Sequence, residues 1–254
     1  MQRVARILGC GLLFAIFGTG GMLLAGVVIP IATRLQRSHE PADLTAQRWI
    51  QRSFAFYIRF GTALGIWGVV DDGLERLSEG ASLVVANHPT LLDIVFLLSF
   101  MPQGDCVVKR EAWTNPALRG IVRVAGYIPN DDGDALVESC VRRLRSGRSV
   151  VLFPEGSRSP EHGLRPFRRG AAHIALRSGC RIVPVSIECA PPFLKKGQPW
   201  YSIPNAKLRY SFSVGKPVRV KDLIEGDVDR PRAARHVTRL LQSHFESRLS
   251  DGST

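Results

Sequence analysis

Several patterns are missing from this sequence, and each absence removes a class of protein. The five cysteines are scattered with no Cys-x-x-Cys pair, so neither a disulfide framework nor a zinc ribbon is expected. No Walker or dinucleotide-type glycine loop and no internal repeat is present. An apolar fraction of 45% is too high for a disordered chain. We therefore expect a folded domain in a reducing compartment, with no metal and no tightly bound cofactor.

Acidic residues are scarce relative to basic ones. The chain has 34 Lys and Arg against 22 Asp and Glu, a net charge of +12, and only six of the basic residues are lysine. This balance favours polyanionic partners, namely nucleic acid, an anionic membrane leaflet or phosphorylated substrates.

The N-terminus narrows that choice, because residues 7–33 contain no charged side chain. About 20 apolar residues suffice to cross a bilayer as a helix. A cleaved signal peptide is the rival interpretation, but the run is too long and lacks a convincing cleavage site. We predict a membrane segment that Pro30 ends or kinks, and it can either span the bilayer or re-enter it. A chain that begins this way and lacks a nucleic-acid reader motif is not expected to bind nucleic acid.

A second apolar stretch covers residues 54–70. It is interrupted by Arg59 and rich in aromatic residues, a pattern typical of a helix lying in the headgroup plane of a membrane. A core helix of the soluble domain explains the same pattern, and both interpretations stay open.

The rest of the chain is typical of an α/β fold. Strands are predicted at 82–86, 105–108, 149–153, 181–187 and 207–214. Helices are predicted at 90–100, 111–125, 133–146, 168–178 and 230–248. This alternation favours a mixed, mainly parallel sheet flanked by helices. The Pro- and Gly-rich segment 190–206 is expected to form an ordered loop or lid.

One candidate for chemistry follows the first of these strands, in the sequence Asn-His-Pro-Thr-Leu-Leu-Asp over residues 87–93. Pro89 suits the first position of a helix, which would place Asp93 about one turn inside it. A carboxylate that holds one imidazole nitrogen raises the basicity of the other, so His88 and Asp93 are a candidate general base. A helix cap made only for stability is the alternative.

A second candidate follows the strand 149–153, in the sequence Phe-Pro-Glu-Gly-Ser-Arg-Ser over residues 153–159. Glycine, hydroxyls and arginine after a strand are typical of a phosphate or carboxylate cradle. Arg168 and Arg169 then precede a predicted helix, whose N-terminus also favours an anion. A solvated basic loop is the alternative for this segment.

Two later segments read Pro-Phe-Arg-Arg-Gly-Ala-Ala-His-Ile-Ala over 166–175 and Val-Pro-Val-Ser-Ile over 183–187. Together with the two motifs above, they resemble the glycerophospholipid acyltransferase family, 1-acylglycerol-3-phosphate acyltransferase type. The resemblance covers about residues 70–220. It implies that His88 and Asp93 are the catalytic pair. It also implies that the residues contacting the substrate are Glu155, Gly156, Ser157, Arg158, Arg168, Arg169 and Pro184.

The chain departs from the family pattern at one motif. Relatives often have Gly-x-Ile-Phe-Ile-x-Arg, whose arginine grips the acceptor phosphate, but residues 126–132 read Gly-Tyr-Ile-Pro-Asn-Asp-Asp. Lys109 or Arg110 is expected to replace the missing arginine, or else the acceptor is not ordinary lysophosphatidate. A specialised lipid, such as a polyene-type lipid, is the alternative acceptor.

The resemblance implies a bacterial membrane enzyme of phospholipid biosynthesis. An acyl group would pass from acyl-ACP or acyl-CoA to a hydroxyl of a lysophospholipid-like acceptor at an anionic membrane, with the domain facing the cytoplasm. We expect a membrane-anchoring segment at 1–70, a catalytic domain at 71–225 and a C-terminal helix and tail at 226–254. A non-catalytic lipid-binding protein at the membrane surface is the rival class.

Overall fold

The computed structural model describes residues 2–36, 40–131, 133–224 and 229–251. Its centre is an eight-stranded sheet in the order β1-β7-β6-β2-β5-β3-β4, with β8 also paired to β6. The strands are β1 (Trp67–Asp72), β2 (Ser82–Ala86), β3 (Gly104–Val108), β4 (Ile128–Pro129), β5 (Ser149–Leu152), β6 (Arg181–Ala190), β7 (Leu208–Val214) and β8 (Val218–Arg219). Five of the pairings are parallel, whereas β6 pairs antiparallel with β7 and β8. The predicted mixed, mainly parallel sheet is confirmed.

Helices cover both faces of the sheet. They are α1 (Gln2–Leu23), α2 (Ile29–Leu35), α3 (Ala42–Ala63), α4 (Asp93–Ser99), α5 (Arg110–Thr114), α6 (Arg119–Val124), α7 (Asp134–Arg145), α8 (Gly170–Ser178) and α9 (Arg230–Asp251). Single 3-10 segments lie at Leu74–Ser78 and Val220–Asp222.

Strand β2 separates two apolar cores, because alternate side chains of a strand point to opposite faces. Val84 and Ala86 belong to the core beneath α1–α6, and Leu83 and Val85 to the core beneath α7–α9. All five residues of β2 are buried, as expected for a central strand of a largely parallel sheet. The loop that leaves β2 is therefore held from both faces.

The N-terminal segment forms one nearly continuous helical run. A π-helical turn at Leu24–Val28 joins α1 to α2, and Pro30 lies in the first turn of α2, where its missing N–H is tolerated. Pro30 does not end the helix, which continues to Leu35, and the alternative that Pro30 kinks the helix stays a prediction. The run Arg3–Leu35 is long and apolar enough to cross a membrane, by length and composition only.

The second apolar stretch divides into two elements. Its first part belongs to α3, in which Tyr57 and Ile58 are buried while Phe56 is 56% exposed. Gly61 allows α3 to approach the sheet, because a Cβ there would lie 2.0 Å from the Trp67 ring. Residues 67–70 form part of β1, a strand missing from our predictions, and β1 crosses the predicted boundary at residue 70. The division into three segments stays a prediction.

The other predicted elements match closely, with two differences. The helix predicted at 111–125 is split into α5 and α6 around Asn115 and Pro116. The helix predicted from residue 90 begins at Asp93, since residues 87–89 have no regular secondary structure, residue 90 lies in a bend and residues 91–92 form a turn. Pro89 is therefore not the first helical residue, and Asp93 starts the helix rather than lying one turn inside it.

Candidate active site

The His88–Asp93 pair forms where β2 ends. The Nδ1 atom of His88 lies 2.8 Å from Oδ2 of Asp93, whose side chain is completely buried. Asp93 is the first residue of α4, and its carboxylate reaches back across the turn to the imidazole. With Nδ1 held by the carboxylate, Nε2 of His88 is left to accept a proton. The ring itself lines a cavity.

Thr90 fixes the orientation of the Asp93 carboxylate. Its backbone N–H donates to Oδ2 at 2.7 Å, and its hydroxyl donates to Oδ1 at 2.5 Å. The hydroxyl oxygen in turn accepts from the Tyr210 hydroxyl of β7 at 3.3 Å. A buried carboxylate needs such donors, because burial without partners costs several kcal/mol.

Asn87 anchors the loop to the neighbouring strand. Its amide nitrogen donates to the Ile187 carbonyl at 2.8 Å, and its amide oxygen accepts from the Ile187 N–H at 2.7 Å. This two-way contact replaces a strand pairing at the point where β2 ends. The backbone of His88 is thus set by β6 as well as by β2.

Glu155 joins the two motif loops and is itself buried. Its Oε1 atom accepts from the His88 N–H at 3.1 Å and from the Ser159 hydroxyl at 2.6 Å, and Oε2 accepts from the Arg165 N–H at 2.9 Å. The Ser159 N–H also donates to the His88 carbonyl at 2.7 Å. Each Glu155 oxygen therefore accepts at least one hydrogen bond from the protein. Through the bond from the His88 N–H, Glu155 holds the backbone of His88 in place.

The His88 ring has an aromatic neighbour. The ring of Phe153, at the end of β5, lies parallel to it with the two centroids 4.1 Å apart. Phe153 therefore covers one face of the imidazole. This stacking favours the ring orientation in which Nδ1 contacts the Asp93 carboxylate.

The cavity in front of His88 has a volume of about 560 Å³ and lies at the carboxyl ends of β3 and β5. The first residues of α7 and α8 close its other side. Its apolar lining consists of Ile94, Val107, Val108, Ala112, Leu136, Val137, Leu152, Phe153 and Ala171. Its charged lining consists of Lys109, Asp131, Asp134, Arg168 and Arg177.

The lining cations differ in how they are paired. Arg177 is bound to Asp134 and Glu138 of α7 at 2.8 and 2.9 Å. Lys109 and Arg168 have no ion-pair partner among the described residues. These two cations are therefore available to an anionic group in the cavity.

Gly156 brings its backbone close to Arg168. Its φ of +67° is in the left-handed region, and a Cβ there would lie 2.9 Å from the Arg168 Nε atom. Any side chain at this position would therefore be strained and would displace the guanidinium. Ser157, which follows, also lines the cavity.

Arg158 lies beside the cavity and outside its lining. Its Nη1 atom donates to the carbonyls of Leu194 and Lys195 at 2.7 and 3.0 Å. Burial lowers the pKa of Arg158, while the negative charge of Asp93 opposes that change. The Nε and Nη2 edge makes no hydrogen bond within the described parts of the chain, which leaves two parallel donors for an anion.

The remaining predicted site residues differ in whether they line the cavity. Arg169 is exposed at the start of α8, and Pro184 is buried in β6 beside Val85, so neither lines the cavity. Arg110 forms an ion pair with Asp131 at 2.6 Å, whereas Lys109 lines the cavity. Of the two proposed replacements for the missing arginine, Lys109 is therefore the better placed. Asp132 lies outside the described residues.

Three supporting residues had no role in the sequence interpretation, namely Thr90, Ser159 and Tyr210. Thr90 and Ser159 lie inside the quoted motifs. The sequence feature that could have indicated their supporting role is a hydroxyl side chain close to a charged residue of the motif. Tyr210 is more than a hundred residues away, and only the pairing of β7 with β6 brings it near Thr90. No group of three His, Cys, Asp or Glu in the described residues can hold a metal ion.

Comparison with known proteins supports this picture. The family model for acyltransferases matches residues 68–188. A chloroplastic 1-acyl-sn-glycerol-3-phosphate acyltransferase of Brassica napus is 29% identical over 65% of this chain and 51% of its own length. A 1-acyl-sn-glycerol-3-phosphate acyltransferase of Helicobacter pylori is 32% identical over 46% of this chain and 53% of its own. The chain thus spans about half the length of these two relatives.

The fold also matches that of a solved structure. The 1-acyl-sn-glycerophosphate acyltransferase PlsC of Thermotoga maritima superposes with a TM-score of 0.70 and 23% identity, over 96% of this chain and 97% of that one. Its similarity extends over the N-terminal helices as well as the sheet. Residues 68–188, which contain both motifs at the ends of β2 and β5, are thus similar to the acyltransferase family.

Proposed function

We propose that the chain is a membrane-bound O-acyltransferase that moves a fatty acyl group from a thioester to a hydroxyl of a lysophospholipid-like acceptor. The observation that carries the proposal is the His88–Asp93 pair, fixed at 2.8 Å and facing a largely apolar cavity with two unpaired cations. Relatives named 1-acyl-sn-glycerol-3-phosphate acyltransferases support the same reaction class.

In the proposed reaction, Nε2 of His88 removes the proton from the acceptor hydroxyl as its oxygen attacks the thioester carbonyl. The C–O bond forms and a tetrahedral oxyanion results. When the C–S bond breaks, the departing sulfur takes the proton back from His88. Asp93 neither gains nor loses a proton in this reaction. Its carboxylate stabilises the imidazolium form of His88, which is the ordinary role of such a carboxylate.

The oxyanion needs hydrogen-bond donors close to the reacting carbon. The Gly156 N–H already donates to the Phe153 carbonyl at 3.1 Å, so it is not free for this part. The next residue, Ser157, lines the cavity, so we propose that Ser157 donates the hydrogen bond to the oxyanion.

The acceptor's anionic group would bind between Lys109, Arg168 and the free edge of Arg158. We propose 1-acylglycerol-3-phosphate as the acceptor and either acyl-ACP or acyl-CoA as the donor. Both donors are made in the cytoplasm, so the catalytic face would lie on that side of the membrane.

One observation favours a more specialised acceptor as the second candidate. Asp131 occupies the motif in which relatives often have a phosphate-binding arginine, and its carboxylate binds Arg110. Asp131 and Asp134 also line the cavity, which makes its far wall less favourable to a phosphate dianion.

The test is acyl transfer from radiolabelled acyl-CoA and acyl-ACP by membranes containing the chain, with lysophosphatidate as acceptor. We expect labelled phosphatidate from the wild type and a loss of about 10²–10⁴ in rate for His88→Ala. Label in another lipid would favour the specialised acceptor. An equal rate from His88→Ala would contradict the role of His88, and no transfer by the wild type to any lipid would favour a lipid-binding protein.

A further inference from the structure

The loop between β6 and β7 contacts two distant parts of the molecule at once. Residues 191–206 contain no acidic residue but do contain Lys195, Lys196, Trp200 and Tyr201. One end of this loop reaches the catalytic motifs and the other reaches α1, the helix with the exposed apolar face.

The catalytic end is tied by backbone carbonyls. The Leu194 carbonyl accepts from the Leu91 N–H at 3.2 Å, inside the first motif, and from Arg158 Nη1 at 2.7 Å. The Lys195 carbonyl accepts from the same Nη1 at 3.0 Å. Leu194 has a φ of +54°, a conformation that costs a non-glycine residue energy and that the surrounding contacts must maintain. The position of the Arg158 side chain thus depends on the conformation of residues 194 and 195.

The other end rests on α1. The Trp200 ring lies 5.9 Å from the Phe14 ring, and a Cβ on Gly11 would be 3.3 Å from it. The Trp200 carbonyl accepts from the Cys10 thiol at 3.6 Å. Leu8 lies one helical turn before Gly11 and is 69% exposed, so Trp200 borders the apolar face of α1.

The aromatic pair remains accessible beyond this contact. Trp200 is 40% and Tyr201 58% exposed, and their rings meet edge to face at 5.7 Å. Tryptophan and tyrosine prefer the boundary between hydrocarbon and water, where one end of the ring is apolar and the other is wet. The exposed Lys196 adds a positive charge to the same loop, which suits an anionic headgroup.

We propose that Lys196, Trp200 and Tyr201 form a second lipid contact of the chain, next to α1, in which Trp200 and Tyr201 lie at an anionic lipid surface. This contact holds the carbonyls of Leu194 and Lys195, and so positions Arg158 when the enzyme lies on the membrane. The lipid contact is independent of the reaction, whereas its effect on Arg158 rests on the proposed function.

The lipid contact is tested by tryptophan fluorescence. The chain has four tryptophans, and Trp200→Phe removes one with little change in shape. The wild type, Trp200→Phe and the control Trp113→Phe are mixed with phosphatidylcholine–phosphatidylglycerol vesicles whose acyl chains carry bromine near the headgroup. We expect strong quenching of the wild type and of Trp113→Phe, and clearly weaker quenching of Trp200→Phe. If Trp200→Phe is quenched by the same fraction as the wild type, residue 200 does not meet lipid and the proposal is wrong.

The coupling to Arg158 is tested by comparing two forms of one acceptor. Trp200→Ala should raise the apparent KM for an acceptor presented in anionic vesicles by about tenfold, and should leave the KM for a monomeric short-chain acceptor unchanged. Leu240→Gln, an exposed apolar site on α9, is the matched control. An equal rise with both acceptors would mean that Trp200 only packs, which overturns the coupling. If the wild type transfers no acyl group, the proposed function fails, while the quenching result still decides the lipid contact.

Discussion

At the scale of single residues, the site depends on groups that orient other groups. His88 contacts four supports: Asp93 at Nδ1, Phe153 at the ring face, Glu155 at its N–H and the Ser159 N–H at its carbonyl. Only the first of these was expected from the sequence. The others arise because the loops after β2 and β5, which are adjacent parallel strands, meet at one edge of the sheet.

Glu155 provides a sharp prediction, because both of its carboxylate oxygens accept hydrogen bonds from N–H or O–H groups of the protein. Glu155→Gln places an NH₂ group against one of these donors and leaves a buried donor unpaired. We expect the free energy of unfolding to fall by about 1–3 kcal/mol and kcat to fall more than the acceptor KM rises. Glu161→Gln, at an exposed position in the same loop, is the matched control and should resemble the wild type. An unchanged kcat would remove Glu155 from the positioning of His88.

Arg158 gives a second prediction at this scale. Arg158→Lys keeps the positive charge but loses the planar guanidinium, in which Nη1 contacts two carbonyls while the Nε–Nη2 edge is left for an anion. The apparent KM of the acceptor should rise more than that of the donor in steady-state assays. Equal effects on the two substrates would give Arg158 a purely structural role.

The cysteines give a negative prediction. Burial raises the pKa of Cys189 and of Cys140 to about 12, so both are protonated thiols at neutral pH. A thiol in this state is a poor nucleophile. Treatment with a maleimide at neutral pH should therefore leave acyl transfer intact, and rapid inactivation would indicate a covalent cysteine intermediate instead of direct transfer.

At the scale of elements, a buried ionic network fastens α3 to the sheet. Arg148 donates to Asp43 of α3 at 2.7 Å and to Asp105 of β3 at 2.9 Å, and Gln47 of α3 donates to Asp105 at 3.0 Å. Asp105 is fully buried, and burial raises its pKa against the effect of the arginines. For Asp43, partial burial raises the pKa, but Arg148 and Arg143 outweigh it and hold the pKa below its ordinary value.

Removing one partner of this network should be costly, because it leaves an uncompensated buried charge. We expect Asp105→Asn to lower the free energy of unfolding by about 3–5 kcal/mol in a denaturant titration. Asp72→Asn, at an exposed position at the end of β1, is the control and should change little. A loss below 1 kcal/mol for Asp105→Asn would mean that the network does not hold α3 in place.

The elements also show how far sequence can predict this fold. Strands β2, β3, β5 and β6 contain short apolar runs of the kind typical of buried strands, whereas β7 alternates apolar and polar residues, and these patterns make all five visible in the sequence. The strands β4 and β8 have two residues each, too few for any periodicity to be visible. Strand β1 was hidden in an apolar stretch that continues directly from α3. At the site, Tyr210 and the Leu194 carbonyl depend on strand order and loop path, which no local pattern encodes.

At the scale of the whole molecule, α1 both completes the core and presents an apolar surface. Cys10 and Leu13 of α1 are buried against the domain, as is Ile29 of α2, while Leu8 and Leu12 of α1 are exposed. Deletion of residues 1–35 would therefore remove core side chains as well as the exposed apolar face that we propose meets the membrane. Substitution on the exposed face separates the two effects.

The prediction at this scale concerns membrane attachment. The full chain should remain in the membrane fraction after a high-salt wash, because apolar burial contributes about 25 cal/mol per Å² and is not screened by salt. Leu8→Gln with Leu12→Gln should shift part of the protein to the soluble fraction, and Leu240→Gln should not. Complete release of the wild type by salt would mean that the arginines alone provide the attachment.

The central claim is that His88 and Asp93 act as one general base in acyl transfer, and a double-mutant cycle tests it most directly. Rates of transfer from labelled acyl-CoA are measured for the wild type, His88→Ala, Asp93→Ala and the double variant, with thermal unfolding as the check on folding. We predict a loss of about 10²–10⁴ for each single variant, and a double variant barely slower than either one. Near-normal transfer by His88→Ala, or losses that multiply in the double variant, would contradict the claim.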